Sequence, residues 1–262
     1  MHFETLLYDV DQGVARIRLN RPDAANALNL PMCKDLMYAA LAADEDPGVR
    51  AVLLGAEGKM FCAGGDLAAM QSTSGGKSAL LKEMTTYLHA GISRLARMQA
   101  PVIAAVRGAA AGAGFSMACA SDLTLCSETA KFTMAYTAAG LVPDGSSTYY
   151  LPRLIGTRRS LELMLTNRRL DAATALEWGL VNQVVADDAL DETAFALACK
   201  LASGPTAAYG TTKKLILGTF DHAFEAQMEL ESRAISEAAG SSDGEEGITA
   251  FLEKRAPQFE GR

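Results

Sequence analysis

The sequence has few of the residues that bind metals or cross-link secreted proteins. Its 262 residues include three histidines and an odd number of cysteines, five. No two cysteines have CxxC spacing, so the pattern predicts neither a zinc site nor a disulfide framework. The thiols are typical of small apolar core residues in a reduced cytoplasmic protein, and they are Cys33, Cys62, Cys119, Cys126 and Cys199.

Signals for export, membrane insertion and nucleic-acid binding are also lacking. The N-terminus has no basic segment followed by an apolar stretch, which a signal peptide would need. The most apolar region, Pro101–Ala120, contains Arg107 and several glycines, a composition that argues against a membrane span. A formal net charge of −7 argues against nucleic acid or an anionic membrane as a partner. The sequence therefore predicts a soluble, cytoplasmic protein.

Apolar residues make up 49% of the chain, enough for one large domain or for a domain with a smaller appendage. Runs of β type at Phe3–Val10 and Val14–Leu19 predict an N-terminal hairpin, and helical spacing of apolar residues predicts a helix over Leu80–Met98. Strand patterns crowd the first two thirds and helical patterns the last third. We therefore expect an α/β core over 1–200 and a helical C-terminal region over 201–262 that makes oligomer contacts.

Two glycine-rich turns repeat one design. The apolar runs Val49–Leu54 and Val102–Val106 each lead into a turn of small residues, at Phe61–Asp66 and Gly108–Gly114, and a helix-compatible stretch follows. The first N–H groups of a helix lack partners, and small residues let a ligand oxygen approach them. Either turn alone is better explained as a simple strand-to-helix connection, but the pair favours a two-donor oxyanion hole.

These turns belong to motifs that resemble the crotonase superfamily, the enoyl-CoA hydratase/isomerase group. The motifs are FCAGGDL at Phe61–Leu67, PVIAAVRG at Pro101–Gly108, ALEWGLVNQVV at Ala175–Val185 and the tail at Glu246–Gly261, so the resemblance spans essentially the whole chain. It implies a spiral of ββα units with a helical C-terminal appendage, assembled as homotrimers or dimers of trimers. It also implies an acyl-CoA thioester as substrate, with no metal or redox cofactor.

The same resemblance assigns the site residue by residue. The oxyanion hole would be the backbone N–H groups of Gly65 and Ala113, in the turns that the pattern selects. Phe251 and Lys254 would act near the nucleotide from a neighbouring subunit. The residues implied in binding CoA or substrate are Ala24, Ala25, Ala27, Ala63, Gly64, Asp66, Leu67, Gly112, Ser116, Pro143, Phe251 and Lys254.

One contact with the CoA phosphates departs from the family pattern. Many relatives have a basic residue just before the position of Asn26, where this chain has Ala25. The missing charge leaves Arg21 or Lys254 to supply it.

The catalytic positions depart further. Hydratases of this family add water with two glutamates, and the aligned positions here are Ser116 and Tyr136. The carboxylate that remains is Asp144, in a loop where isomerases of the superfamily place a single catalytic acid. One base suffices when a proton is only moved. By pattern alone, Asp144 is equally well explained as the N-cap of the helix that follows.

His89 also has two interpretations. It lies one position off the apolar stripe of its helix, which is typical of a partly exposed surface histidine. Alignment to 4-chlorobenzoyl-CoA dehalogenases instead places His89 on a general base and Asp144 on a nucleophile, with Tyr136 at a pocket tryptophan.

The sequence favours a double-bond isomerase in which Gly65 and Ala113 hold the enolate oxygen and Asp144 is the acid/base. Tyr136 and His89 would complete the catalytic site. The alternatives are a hydratase in the broad family sense, an aryl-CoA dehalogenase or thioester hydrolase that uses Asp144 and His89, and a CoA-binding protein without activity.

Overall fold

The computed structural model describes residues 2–261 as two sheets with helices packed around them. The strands are β1 (Leu6–Asp11), β2 (Val14–Leu19), β3 (Ala51–Ala56), β4 (Val102–Val106), β5 (Ala109–Ala111), β6 (Leu123–Ser127), β7 (Lys131–Thr133), β8 (Leu170–Asp171) and β9 (Gln183–Val185). The α-helices are α1 (Leu30–Glu45), α2 (Leu67–Ser72), α3 (Lys77–Arg97), α4 (Ala113–Ala120), α5 (Ser147–Ile155), α6 (Thr157–Thr166), α7 (Ala172–Glu177), α8 (Leu190–Ala202), α9 (Thr206–Gly218), α10 (Phe224–Ala239) and α11 (Ser242–Glu253). The predicted α/β class with C-terminal helices is confirmed.

The larger sheet has the order β1-β2-β3-β4-β6-β9 and begins with the predicted hairpin. Its turn residues Gln12 and Gly13 have φ of 51° and 76°, the left-handed geometry that a two-residue hairpin turn needs. From β2 onwards the neighbouring strands are parallel. A parallel sheet places the exits of its strands at one edge, and both glycine-rich turns follow such exits.

Helices cover both faces of this sheet, which explains why its central strands are apolar throughout. On β3, Val52 and Leu54 are buried in the main core, and Leu53 is buried on the other face. The second face packs against α8, where Leu190 and Ala194 are buried. Because side chains alternate along a strand, continuous burial requires an apolar residue at each position.

The smaller sheet, with the order β5-β7-β8, was not predicted. Ala109–Ala111 was expected to belong to a turn, but it forms β5 and pairs in parallel with β7. Alanine is depleted in strands, so an alanine run gives no β signal. The strand exists because its backbone has partners on both sides, β7 on one and Cys62 on the other.

The C-terminal helices are tied back to the α/β part by polar contacts. Lys213 on α9 lies 2.7 Å from a carboxylate oxygen of Asp122 and donates to the carbonyl of Ala100 at 2.9 Å. Burial raises the pKa of Asp122 and lowers the pKa of Lys213, although each charge opposes the other group's shift. Arg50 donates to the carbonyl of Phe259 at 3.0 Å, and this hydrogen bond holds the C-terminal tail against the α/β part.

Candidate active site

Backbone hydrogen bonds hold the two glycine-rich turns side by side. The N–H of Cys62 donates to the carbonyl of Ala109 at 3.1 Å, and the N–H of Ala111 donates to the carbonyl of Cys62 at 2.8 Å. Gly114 makes the approach possible, because a Cβ at that position would lie 2.5 Å from the Cys62 carbonyl oxygen. The turns therefore meet as one unit.

Gly65 and Ala113 lie at this junction, and Ala113 is buried. Within residues 2–261, no acceptor takes either N–H. Ala113 is the first residue of α4, as the prediction of a helix N-terminus requires. Gly65 differs from that prediction: it precedes Asp66, the N-cap of α2. The parallel bridge to Leu28 uses the carbonyl of Gly64 and the N–H of Asp66, so the N–H of Gly65 between them takes no part in the bridge.

Asp66 caps α2 and is paired with Arg21. Its Oδ1 accepts the N–H of Ala69 at 2.9 Å, and its Oδ2 lies 3.1 Å from Nη2 of Arg21. Burial acts to raise the pKa of Asp66, but the Ala69 N–H and the Arg21 guanidinium together lower it below its ordinary value. Arg21 also donates to the carbonyl of Ala27. Its guanidinium is thus engaged inside the protein, which weighs against Arg21 as the partner of a CoA phosphate.

Asn26 fixes the loop implied in CoA binding. Its buried side chain accepts the N–H of Arg21 at 2.8 Å and donates to the carbonyls of Glu57 and Met60 at 2.9 and 2.8 Å. Ala25 and Asn26 both adopt left-handed φ, 51° and 53°. The carbonyl of Ala25 then accepts the N–H of Ala63 at 3.0 Å, which joins this loop to the first turn.

A cavity of about 260 Å³ opens at the junction of the two turns. Its lining is mainly apolar, with Leu81, Met84 and Leu88 of α3 forming one wall and Cys33 of α1 contributing a thiol. Burial raises the pKa of Cys33 to about 12, so this thiol stays protonated. The predicted site residues that line the cavity are Ala63, Gly64, Gly65, Leu67, Gly112, Ala113, Tyr136 and Asp144.

The carboxylate of Asp144 is the acid on the wall of this cavity. Its Oδ1 accepts a 2.7 Å hydrogen bond from the phenol of Tyr136. The hydroxyl of Ser116 lies 3.0 Å from the Tyr136 hydroxyl and donates to the Asp144 carbonyl at 2.9 Å. The residues at both aligned glutamate positions therefore support the carboxylate that remains. Burial and the Asp144 charge raise the pKa of Tyr136, which keeps the phenol protonated as a donor.

Asp144 does not cap the helix that follows, so the N-cap interpretation is wrong. Helix α5 begins at Ser147 without a side-chain cap. The main-chain carbonyl of Asp144, rather than its carboxylate, accepts the Ser147 hydroxyl at 2.9 Å. The carboxylate is left for Tyr136 and for a ligand.

His89 reaches Asp144 from outside the cavity. Its Nε2 lies 3.4 Å from Oδ2 of Asp144 and accepts the N–H of Gly145 at 3.3 Å. Its side chain is 49% exposed, in line with the surface histidine that its helix position predicts, and it lines a second, larger cavity. His89 is therefore exposed, as its helix position predicts, and it also adjoins the carboxylate, while its role as a general base stays a prediction.

The predicted site residues that do not line the 260 Å³ cavity are Ala24, Ala25, Ala27, Asp66, His89, Ser116, Pro143, Phe251 and Lys254. Ser116 is buried behind Tyr136, and Pro143 lies between the lining residues Val142 and Asp144. Phe251 is 83% exposed and Lys254 follows the end of α11. Their roles near the nucleotide, in which a neighbouring subunit takes part, stay predictions.

Neither a metal centre nor a membrane span is found in the part of the chain that the structure describes. Residues 2–261 contain no cluster of three or more side chains able to bind a metal ion. None of the helices in that range combines the length and the apolar character needed to cross a bilayer.

Known proteins share this architecture over its full length. The family model for enoyl-CoA hydratase/isomerase matches residues 9–262. The 1,2-epoxyphenylacetyl-CoA isomerase of Escherichia coli is 38% identical over 260 residues, which are 99% of each chain. The trans-2-decenoyl-acyl-carrier-protein isomerase of Streptococcus mutans is 33% identical over 263 residues, with full coverage of both chains. The crystal structure of an enoyl-CoA hydratase from Polaromonas has a TM-score of 0.92 at 32% identity and covers 97% of this chain and 99% of its own.

The fold, the paired turns with two unpartnered N–H donors, and the family model over residues 9–262 agree. The names of the three relatives cover more than one reaction, so the comparisons set the family rather than the chemistry. This chain belongs to the enoyl-CoA hydratase/isomerase family, with the crotonase fold.

Proposed function

We propose that this protein is an enoyl-CoA double-bond isomerase with Asp144 as its single acid/base. One observation carries the proposal: the Asp144 carboxylate lies on the wall of the cavity that also contains Gly65 and Ala113, whose N–H groups are unpartnered within residues 2–261. A base in the same cavity as two unpartnered N–H donors is what enolate chemistry requires.

The reaction moves one proton. Asp144 takes a proton from the α carbon of a 3-enoyl thioester, and the C–H electron pair becomes a new double bond to the carbonyl carbon. The thioester oxygen takes up the negative charge and is held by the N–H groups of Gly65 and Ala113. Asp144 then returns the proton to the γ carbon, which re-forms the carbonyl and leaves the double bond between the α and β carbons.

Two hydroxyls in place of two glutamates favour isomerisation over hydration. Addition of water needs a group that deprotonates the water and a group that protonates the α carbon. The Tyr136 phenol donates a hydrogen bond to Asp144. Burial raises the pKa of the phenol, so it stays protonated and does not act as the base that hydration needs. Ser116 donates to the Asp144 carbonyl. The two isomerases among the relatives add support for a proton transfer.

A second candidate, aryl-CoA dehalogenation or thioester hydrolysis, is favoured by the position of His89. Its Nε2 is 3.4 Å from Oδ2 of Asp144. At that distance the imidazole could act as a general base after Asp144 has attacked a carbon of the substrate. However, His89 lines the second cavity rather than the cavity of the two donors. His89 would therefore have to activate water from the far side of the Asp144 carboxylate, away from the cavity of the two donors. For this reason we favour the isomerase.

The proposal includes an acyl-CoA substrate, no further cofactor, and assembly as a homotrimer or a dimer of trimers. The C-terminal helices support the assembly, because large apolar side chains that a single chain leaves exposed are typical of subunit interfaces. Those on the segment from α9 to α11 include Phe220, Phe224, Met228, Ile235, Phe251 and Leu252.

Product analysis separates the candidates. We would incubate 3-enoyl-CoA, 2-enoyl-CoA and a halobenzoyl-CoA with the enzyme, separate the products by liquid chromatography and identify them by mass spectrometry. The isomerase interconverts the two enoyl esters without a change of mass in ordinary water. Gain of the mass of one water would instead establish hydration. Release of halide or free CoA would establish the second candidate. Binding of CoA without turnover would indicate a protein without activity.

A further inference from the structure

The Asp144 carboxylate stands between two cavities. One side of it belongs to the 260 Å³ cavity of the oxyanion hole. On the other side, His89 and Gly145 line a cavity of about 640 Å³ together with Ser93, Arg97, Lys214 and His222. The second cavity is open and its mixed lining includes these polar groups, which makes it suitable for water.

The two oxygens of the carboxylate face different partners. Oδ1 accepts from Tyr136, whose hydroxyl adjoins the buried Ser116. That network ends on the carbonyls of Gly112 and Asp144, so it has no outlet for a proton. Oδ2 faces Nε2 of His89, and the His89 side chain is 49% exposed. The Asp144 side chain is itself 28% exposed, and within residues 2–261 the titratable side chain that joins it to the second cavity is His89.

The hydrogen bond from the Gly145 N–H selects the tautomer of the neutral His89 imidazole. Because the Gly145 N–H donates to Nε2, the lone pair of a neutral ring lies on Nε2 and the hydrogen on Nδ1. Nε2 has a single lone pair, so it takes a proton from Oδ2 of Asp144 as the 3.3 Å hydrogen bond from the Gly145 N–H is released. The 3.4 Å separation is long for a hydrogen bond, and such contacts often tighten when substrate binds.

We propose that His89 is a proton relay between Asp144 and the water of the second cavity. The inference rests on the proposed isomerase, in which Asp144 holds the substrate proton while the dienolate exists. Part of that hydrogen then exchanges with solvent before it is returned to carbon.

The step balances without a further reactant. The proton on Oδ2 of Asp144 moves to Nε2 of His89, which leaves a carboxylate and an imidazolium. The imidazolium gives its Nδ1 hydrogen to water in the second cavity, and the reverse sequence brings a solvent hydrogen back to Oδ2. His89 acts through Asp144 and touches no substrate, so its loss should alter the origin of the transferred hydrogen more than the rate of transfer.

The test measures isomerisation and isotope exchange in the same reaction. 3-Enoyl-CoA is converted in heavy water, and early product is analysed for deuterium per double-bond migration. His89→Gln keeps an acceptor for the Gly145 N–H but does not titrate. We expect deuterium per double-bond migration to fall about tenfold or more in this variant, at whatever rate it isomerises, since a positioned proton-transfer group is lost.

A matched control and a rescue separate the relay from a structural role. Ser93→Ala lies one turn along α3 and lines the same cavity, and it should leave both quantities unchanged. Added imidazole should restore deuterium uptake in His89→Ala but not alter Ser93→Ala.

Two results would overturn the relay and leave the isomerase in place: a wild-type product free of deuterium, or His89→Gln product with wild-type deuterium content. Absence of double-bond migration in the wild type would instead reject the proposed function itself, and the relay with it.

Discussion

The Tyr136 phenol donates a 2.7 Å hydrogen bond to Oδ1 of Asp144 and so fixes the one acid of the cavity. Removal of this donor by Tyr136→Phe should cost about 1.5–3 kcal/mol of carboxylate stabilisation, the range for a hydrogen bond to a charged group. We expect kcat to fall roughly tenfold or more, with KM for the acyl-CoA little changed. Steady-state kinetics would measure both.

The fold should tolerate this change, because the Ser116 hydroxyl keeps the carbonyls of Gly112 and Asp144 as acceptors. Tyr150→Phe is a suitable control, since the Tyr150 ring packs on Tyr149 and lines the second cavity rather than the 260 Å³ cavity. Equal kinetics for both variants would show that the Tyr136 bond has no part in catalysis.

Close contact at Gly114 should be essential for the oxyanion hole. A Cβ there would meet the Cys62 carbonyl at 2.5 Å, so Gly114→Ala must push the turns apart. We expect a loss of about 1–3 kcal/mol of stability from overpacking. The displaced donor should lower kcat by about a hundredfold to a thousandfold. Thermal unfolding and single-turnover rates would report the two effects.

Gly75→Ala is the matched control, because a Cβ at Gly75 meets no atom within 4 Å. If Gly114→Ala were as active as Gly75→Ala, the contact between the turns would not position the donors.

The missing basic residue at Ala25 leads to a prediction of gained affinity. Ala25 lies in the loop that Asn26 fixes and already has a left-handed φ of 51°, so a longer side chain adds no new backbone strain relative to alanine. Ala25→Lys should lower KM for acyl-CoA up to about fivefold at low salt, as an exposed ion pair of about 0.2–1 kcal/mol allows. Ala25→Gln has a similar length without charge and should show no gain.

Raised salt should remove the advantage of the lysine, because exposed charges are screened. The same KM for the lysine and glutamine variants at low salt would show that no CoA phosphate lies near this position.

The ion pair of Glu246 and Arg255 gives a pH prediction. The Arg255 guanidinium, aided by the N–H of Gln258, lowers the pKa of Glu246 to about 2. Because the folded pKa is depressed, the pair should stabilise the tail fully above the unfolded value of about 4.3 and lose its effect as pH falls to about 2.

We therefore expect Glu246→Gln to melt below the wild type at neutral pH and to coincide with it near the folded pKa. Glu237→Gln on α10 serves as the control and should follow the wild type at each pH. A constant difference between Glu246→Gln and the wild type would contradict the assigned pair.

Local sequence patterns predicted several helices and strands, whereas the arrangement of the site depends on contacts between segments far apart in the sequence. The hairpin was predictable because Gly13 marks a two-residue turn between alternating strands. By contrast, β5 was not, since the partners of an alanine strand come from Cys62 and from β7, far apart in sequence. A second long-range pairing, the bridge between Leu28 and Gly65, leaves the Gly65 N–H unpartnered, although Gly65 does not begin a helix.

The role of the Asp144 side chain was ambiguous for a conformational reason. Gly145 and Ser146 both have positive φ, 58° and 70°, and these left-handed residues separate Asp144 from the start of α5. Sequence pattern alone allowed a cap because it does not show that a non-glycine residue, Ser146, adopts this conformation. The approach of His89 was likewise hidden, because it depends on where α3 passes the loop of Asp144.

The rate of double-bond migration in Asp144 variants tests the central claim most directly. Asp144→Ala should lower kcat by about a hundredfold to ten-thousandfold, the usual effect of a lost acid/base, while CoA binding and the melting temperature stay near wild-type values. Asp144→Asn should follow it, provided that the asparagine before Gly145 is checked for deamidation back to aspartate. Full activity in Asp144→Ala, with fold and binding intact, would contradict the single-base isomerase.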